Sequence, residues 1–215
     1  MPHIFRKDTI RKYEEHYEHI FEQNWDGVLI RNYESYEFLR SHSYEKNIVT
    51  DYNLYQFNSY AKNFWMNEQV ESTTAPLELN YRELQNVGLE NSELIVYGYL
   101  PMMVSAQCIK KTTEGCKKQK GTLTFKDRYQ KTFTVKNHCD YCYNMIYNTA
   151  PLVLTDQKSE IESLNPKALR LNFTIEDRKT MKDILRLYED VFVKGDRSKE
   201  PDMEFTRGHF KRGIK

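Results

Sequence analysis

No stretch of this 215-residue chain approaches 18 consecutive apolar residues, so a membrane-spanning helix is not expected. The opening MPHIFRKDTIRKYEEHYEHI is charged and lacks the apolar centre of a secretory signal, which points to the cytoplasm. There is no G-x-S-x-G elbow for a serine hydrolase and no H-E-x-x-H pair for a metallopeptidase helix. Of the eight glycines, Gly88 and Gly98 stand alone, and neither a phosphate loop nor a dinucleotide fingerprint is present. No low-complexity tract interrupts the chain. What is there is ordinary for a globular protein, 39% hydrophobic and 29% charged. Sixteen tyrosines and eleven phenylalanines supply much of the apolar area.

The net charge of +1 hides an uneven distribution. Residues 1–107 carry nine basic and 16 acidic residues, a net of −7. Residues 108–142 carry nine basic and three acidic residues, a net of +6. Such asymmetry marks either an anionic partner or a lysine-rich solvated surface.

The first hundred residues alternate between strand-like and helix-like segments. Strand-like runs are expected at 2–5, 26–30, 47–51, 69–75 and 94–98, at the pitch of a strand, a loop and a helix. Between them, 9–23 places Ile10, Tyr13, Tyr17, Ile20 and Phe21 on one helical face, with Asp8 or Thr9 as cap. A helix over 53–66, capped by Asn53, does the same with Leu54, Phe57, Tyr60, Ala61, Phe64 and Trp65. Shorter helices are expected at 33–41 and 81–87. This alternation favours a parallel sheet or barrel. After residue 98 the pattern changes. Residues 122–136 read as a β-hairpin, 168–173 as a strand, 177–193 as a helix and 194–204 as a loop. The chain thus divides into a βα region at 1–107, a cysteine segment at 108–152 and a closing part at 153–215.

All four cysteines, Cys108, Cys116, Cys139 and Cys142, fall within 108–142 with spacing C-x7-C-x22-C-x2-C. The final C-x2-C lets two thiolates meet one metal ion from a single turn. In a reducing compartment, metal binding outweighs disulfides. Four thiolates suit zinc or an iron–sulfur cluster. Unrelated thiols and a disulfide pair are the alternatives. His138, beside Cys139, is a possible substitute ligand. His16 and His19, with Glu15 and Glu18, fit an exposed polar helix face, and His209 fits a structural role.

The stretch ELIVYGYLPMMVSAQC, residues 93–108, resembles the signature region of the U-32 (collagenase-like) peptidase family. Glu93 and Gly98 match, and Cys108 falls on the second signature cysteine. Pro101 stands where many members carry the first, and Ala106 replaces a glycine. DYNLYQFNSYA (51–61), APLELNYREL (75–84), FKDRYQKTFTV (125–135), CYNMIYNTAPL (142–152), LRLNFTIED (169–177) and FTRGHFKRG (205–213) resemble the family as well. The resemblance implies an α/β fold: a partial TIM-barrel-like array of βα units with parallel strands, plus a cysteine-bearing β-hairpin insertion. It also implies that this is the C-terminal part of a member. A missing N-terminal barrel region, or a second copy of the chain, would then be the partner covering the open edges.

The family's name implies a peptidase of unknown catalytic type. Several relatives instead look like iron–sulfur proteins that assist hydroxylation of RNA bases or of a quinone precursor. Carried over by position, Cys108, Cys116, Cys139 and Cys142 are the ligands of a 4Fe-4S cluster, with zinc as the alternative. In βα barrels, chemistry gathers at the C-terminal ends of strands. The polar residues there are Arg6, Arg31, Asp51, Glu78, Asn80, Arg170 and Asn172. Asp51 and Glu78 are a candidate general acid/base pair, or else helix caps and partners of barrel arginines. Three functions follow: an iron–sulfur enzyme of RNA or small-molecule modification, a true peptidase acting on an extended peptide, and a zinc-stabilised substrate-binding module.

Overall fold

A computed structural model describes residues 1–196, 199 and 201–212. Two helices, α1 (Lys7–Glu14) and α2 (Tyr17–Glu22), precede β1 (Gly27–Ile30), α3 (Tyr33–Ser41), β2 (Asn47–Thr50), α4 (Ser59–Asn67), β3 (Ser72–Thr74), α5 (Tyr81–Val87) and β4 (Ser92–Gly98). Next come β5 (Pro101–Ser105), α6 (Ile109–Thr113), β6 (Gly121–Lys126), β7 (Thr132–His138) and β8 (Tyr143–Tyr147). The chain closes with β9 (Leu152–Val153), α7 (Lys158–Leu164), β10 (Ala168–Leu171) and α8 (Arg178–Tyr188), which runs on into a π-helical turn at Glu189–Val193.

The βα alternation produces the expected parallel sheet. Strands β1, β2, β3, β4 and β10 lie side by side in that order, all parallel, and β9 pairs antiparallel with β4. The sheet has six strands, and among the described residues it does not close into a barrel. The fold is therefore mixed α/β with an open parallel sheet. Residues 2–5 do not form a strand. Ile4 instead packs on the Tyr143, Met145 and Tyr147 cluster, and buried Phe5 meets the rings of Tyr13 and Phe38. A short apolar run specifies burial but not which neighbour supplies it.

A second, antiparallel sheet of order β5-β8-β7-β6 leaves the first at Gly98 and returns at Leu152, which pair with each other. The hairpin expected at 122–136 is its β6–β7 edge, with Leu123 opposite Val135 and Phe125 opposite Phe133. The phenyl rings of that second pair stack at 5.2 Å. The cysteines flank these strands rather than lie on them. Gly98 is required at the junction: a Cβ there would stand 2.5 Å from the Asn172 carbonyl oxygen, and its φ is +150°.

Local chemistry explains most helix starts. Asn32 accepts from Ser35 N at 2.8 Å, Asn58 from Ala61 N at 2.9 Å and Asp177 from Thr180 N at 2.7 Å. Asn80 and Glu83 form a capping box on α5. The expected caps Asp8, Thr9 and Asn53 are not used. Arg6 occupies the cap position of α1, and Asn53 donates to the Arg31 carbonyl. The 9–23 helix breaks at His16, and the 53–66 helix starts only at Ser59, after Tyr55 turns left-handed. That break shifts the helical phase. Trp65 is buried, whereas Phe57, Tyr60 and Phe64 are exposed.

The main core surrounds β4, joining Leu94 to Tyr97 with Leu152 to Leu154, Ile161, Ile184 and Tyr188. Tyr188 Oη donates to the Val96 carbonyl at 2.6 Å and accepts from Leu154 N at 3.2 Å. Leu154 N also donates to the Val96 carbonyl directly at 3.1 Å, so Tyr188→Phe removes the hydroxyl's bonds without stranding either backbone group. It is expected to lower stability by about 0.5–1.5 kcal/mol, read as a shift in the urea midpoint. No helix among the described residues is long and apolar enough to cross a membrane.

Candidate functional site

The 99–151 excursion carries the cysteines away from the C-terminal end of β4. Cys108 sits at the start of α6, Cys116 lies exposed beyond it, and Cys139 and Cys142 bracket the turn between β7 and β8. Tyr141 N donates to the His138 carbonyl inside that turn, and Cys142 takes a left-handed φ of +54°. The Cys139 thiol donates to the Gln119 carbonyl at 3.1 Å. All four thiols are free. All four border one hollow of about 1210 Å³. Partial burial pushes the Cys139 thiol up, and the neighbouring Cys108 and Cys116 push it further. Among the described residues, no group of three or more His, Cys, Asp or Glu is disposed to hold a metal ion. The thiols share a hollow but are not assembled into a ligand set.

The N-terminal segment forms the facing wall. Arg6 reaches the Ala106 carbonyl at 3.5 Å, Lys12 donates to the Asp140 carbonyl at 3.0 Å, and the Tyr13 and Tyr141 hydroxyls lie 3.2 Å apart. Arg6, Arg11, Lys12, Lys111 and Lys118 line the hollow against only Asp8 and Asp140. The positive lining, part of which comes from α1, was not legible from the 108–142 charge run. His138 also lines the hollow and stacks on Tyr143 at 4.6 Å. Burial and Lys136 hold it below the ordinary histidine range.

A second polar centre lies on the parallel sheet. Asp51, 1% exposed, follows β2, and its Oδ2 accepts from Arg31 Nε at 2.8 Å. Its Oδ1 accepts from Arg170 Nη2 at 2.6 Å and from Tyr52 N at 3.0 Å. Arg170 also pairs with Glu93, which accepts from the Thr74 hydroxyl at 2.7 Å. Burial opposes ionisation of Asp51, but the two guanidiniums win and hold its carboxyl below the ordinary range. Glu78 has different neighbours. Burial raises its carboxyl, the charge of His209 opposes this, and one of its oxygens is buried without a partner. Of the other strand-end residues, Asn80 is the α5 cap, Asn172 N bonds the Tyr97 carbonyl, and Arg6 belongs to the hollow. His16 and His19 are exposed. The expected 194–204 loop falls partly on residues 197, 198 and 200, outside the described residues.

A family model described as peptidase family U32 matches residues 2–212. The chain belongs to that family. Neither the curated proteins nor the solved structures include a match to it. This U32 member has an open parallel sheet among its described residues and places its four cysteines on the excursion between β4 and β9.

His3 links the two centres. Its ring lies edge-on to Tyr143 at 6.3 Å, and burial, then Arg31, lowers its pKa to about 4. Unfolded histidine binds a proton below about pH 6.5, so between that value and about 4 the unfolded chain holds the extra proton. Stability is therefore expected to fall as pH drops from about 6.5 to about 4, by up to about 3 kcal/mol from this residue. Urea midpoints across that range should show the slope, and His3→Phe should flatten it.

Proposed function

We propose that this U32 chain is an iron–sulfur domain in which Cys108, Cys116, Cys139 and Cys142 hold a 4Fe-4S cluster, acting in RNA or small-molecule modification of the hydroxylation type. The observation that carries the reading is that four free thiols border one hollow. Thiolate is the ligand such clusters take. Cys116 and Cys142 are exposed on turn and loop backbone, which can close on an incoming group at small cost. The cluster, when bound, supplies one-electron transfer. The chain's own residues do the rest. Arg6, Arg11, Lys12, Lys111 and Lys118 attract an anionic substrate, and α1 with the β7–β8 turn walls the hollow. A cytoplasmic setting, where thiols stay reduced, belongs to the same proposal.

Protein purified without oxygen is expected to be brown and to contain iron and acid-labile sulfide in equal amounts. Zinc without sulfide would support the structural-zinc module instead. Neither metal would overturn the reading.

The peptidase alternative draws on Glu78, whose raised carboxyl suits a general acid. Asp51 is a poor partner for it, because two guanidiniums keep it charged. Gelatin cleavage lost in Glu78→Gln but kept in Cys139→Ser would select that alternative. Among the described residues, the parallel sheet ends at β1 and β10 with unpaired edges. We assign their cover to further βα units of a partner or parent chain, with pairing to a second copy as the rival outcome of light scattering.

A further inference from the structure

The two faces of the antiparallel sheet have different surroundings. Tyr143, Met145 and Tyr147 of β8 turn inward, where Ile4, Tyr99 and Ile175 pack on them. Lys136 of β7 stands opposite Met145 on that side and donates to the Thr174 carbonyl at 3.0 Å. Alternation sends Phe133, Val135 and Asn137 of β7 to the other side, with Phe125, Leu123 and Gly121 of β6 as their register partners. The half of this second face near the cysteine hollow is covered: Val135 and Asn137 are buried, and Asn137 lines the hollow. The half toward the β6–β7 turn is open. Phe125, stacked on Phe133, is 40% exposed, and Tyr129 at the tip is 69% exposed. Cations surround these rings. The Arg128 guanidinium lies 4.7 Å from the centre of the Tyr129 ring. A Cβ on Gly121 would stand 3.9 Å from Lys110 Nζ, which puts that ammonium where the covered half of the face begins. The one acid of the turn, Asp127, is spent on the Tyr129 and Lys131 amides at 2.8 and 2.9 Å. Lys110, Lys126, Arg128 and Lys131 have no carboxylate partner among the described residues.

We propose that the β6–β7 hairpin is a docking surface for single-stranded RNA, with unpaired bases stacked on Phe125 and Tyr129 and phosphates held by Lys110, Lys126 and Arg128. The proposal rests on the RNA form of the proposed function, and it uses neither a metal nor the thiols. Unpartnered cations beside exposed rings are the combination that single strands require. Any base can lie on a π-face, and each phosphate needs a positive charge. A duplex keeps its bases inside the helix and cannot use the rings. A lysine-rich surface that served only solubility would need no exposed aromatics. The direction of the hairpin adds a consequence. From the Phe133 row to the Asn137 row is four residues, roughly 14 Å of strand. RNA lying along β6 therefore passes Lys110 and arrives at the basic lining of the hollow.

Fluorescence anisotropy with an unstructured RNA of about 12 nucleotides tests this on the full chain, purified without oxygen and with its iron measured in parallel. Phe125→Leu keeps the apolar area and removes the ring. It should weaken binding about tenfold while leaving the salt dependence unchanged, and Phe125→Tyr should restore the affinity. Tyr129→Leu, at an exposed turn where little packing is at stake, should weaken binding to a similar degree. Lys110→Gln should instead lower the slope of log affinity against log salt by about 0.7. Polyglutamate, which has the charge without the bases, should bind more weakly than RNA and respond equally to wild type and Phe125→Leu. RNA affinity unmoved in both Phe125→Leu and Tyr129→Leu would overturn the proposal. So would duplex RNA binding as tightly as the single strand. Polyglutamate binding as tightly as RNA would give the surface to an acidic protein and overturn it too. Iron content separates the two ideas: a chain without iron that binds RNA through these rings loses the cluster and keeps the docking surface, and an iron-bearing chain that ignores RNA does the reverse.

Discussion

Replacing Arg170 with methionine is expected to cost about 3–5 kcal/mol, the range for removing one partner of a buried ion pair. The size follows from what Arg170 leaves behind. Asp51 is almost wholly buried, and both its oxygens are engaged by guanidiniums, Arg170 on Oδ1 and Arg31 on Oδ2. Without Arg170, Asp51 Oδ1 keeps only the Tyr52 amide, and Glu93 keeps only the Thr74 hydroxyl. Asp51 then has Arg31 alone to balance its charge, and Glu93 has lost its cation. The double variant Glu93→Gln with Arg170→Met should recover a good part of the loss, because it removes the carboxylate that is left without a cation. The pH dependence carries a definite sign. The folded carboxyl of Asp51 is depressed, so its contribution is fully present above the unfolded value of about 4 and is lost as pH falls further. Arg170→Met should weaken that acid-side loss. Guanidinium unfolding at pH 3 and pH 7 measures both effects. A cost below about 1 kcal/mol would place the network with exposed ion pairs, which contribute little.

On the proposed iron–sulfur reading, Cys139→Ser is expected to reduce bound iron from about four atoms per chain to near none in anaerobically purified protein. Cys139 and Cys108 are the partly buried thiols of the set, whereas Cys116 and Cys142 are exposed. The Cys139 thiol touches the Gln119 carbonyl, and Cys108 and Cys116 are close enough to bear on its ionisation. Metal binding and local folding are coupled wherever ligands come from loops. Lys110, Lys111, Lys117, Lys118 and Lys120 lie on this segment. Trypsin should therefore cut there in Cys139→Ser well before it cuts the cluster-bearing wild type. Equal digestion rates, with iron retained in the variant, would remove Cys139 from the ligand set. Salt provides a companion measurement. RNA binding by the wild type should weaken steeply with ionic strength if the five basic residues of the hollow meet phosphates.

The parallel strands were legible because their pattern is local. GVLI, NIVT and SELIVYG are apolar or β-branched runs separated by helix signals, and each became a strand of the first sheet. The β6–β7 hairpin was legible for the same reason, since alternation on both arms fixes the register. The PHIF run was misread because its burial comes from Tyr143 and Phe38, on elements far along the chain. Strands β5 and β8 were not expected. MMVS and YNMIY carry no turn signal between them, and they pair across almost 40 residues. The long α4 stripe failed through one left-handed residue, Tyr55, whose conformation a periodicity cannot register.

Composition and spacing by themselves determined the α/β class and the grouping of four thiols in one segment, and a resemblance of sequence motifs pointed to the family to which the chain belongs. These depend on residue type and on separations of a few residues, which sequence states directly. Tertiary structure alone decided that Arg170 closes on Asp51, 119 residues earlier, and turns a candidate acid into a structural anion. It alone brought Arg6, Arg11 and Lys12 of the N-terminal segment to the rim of the cysteine hollow. It alone set the Lys110 ammonium beside Gly121, on the face of β6 that carries Phe125. The reason is the same in all three. Electrostatic and hydrogen-bond energies depend on separations of a few ångströms in space, and chain distance says nothing about those until the sheets have paired.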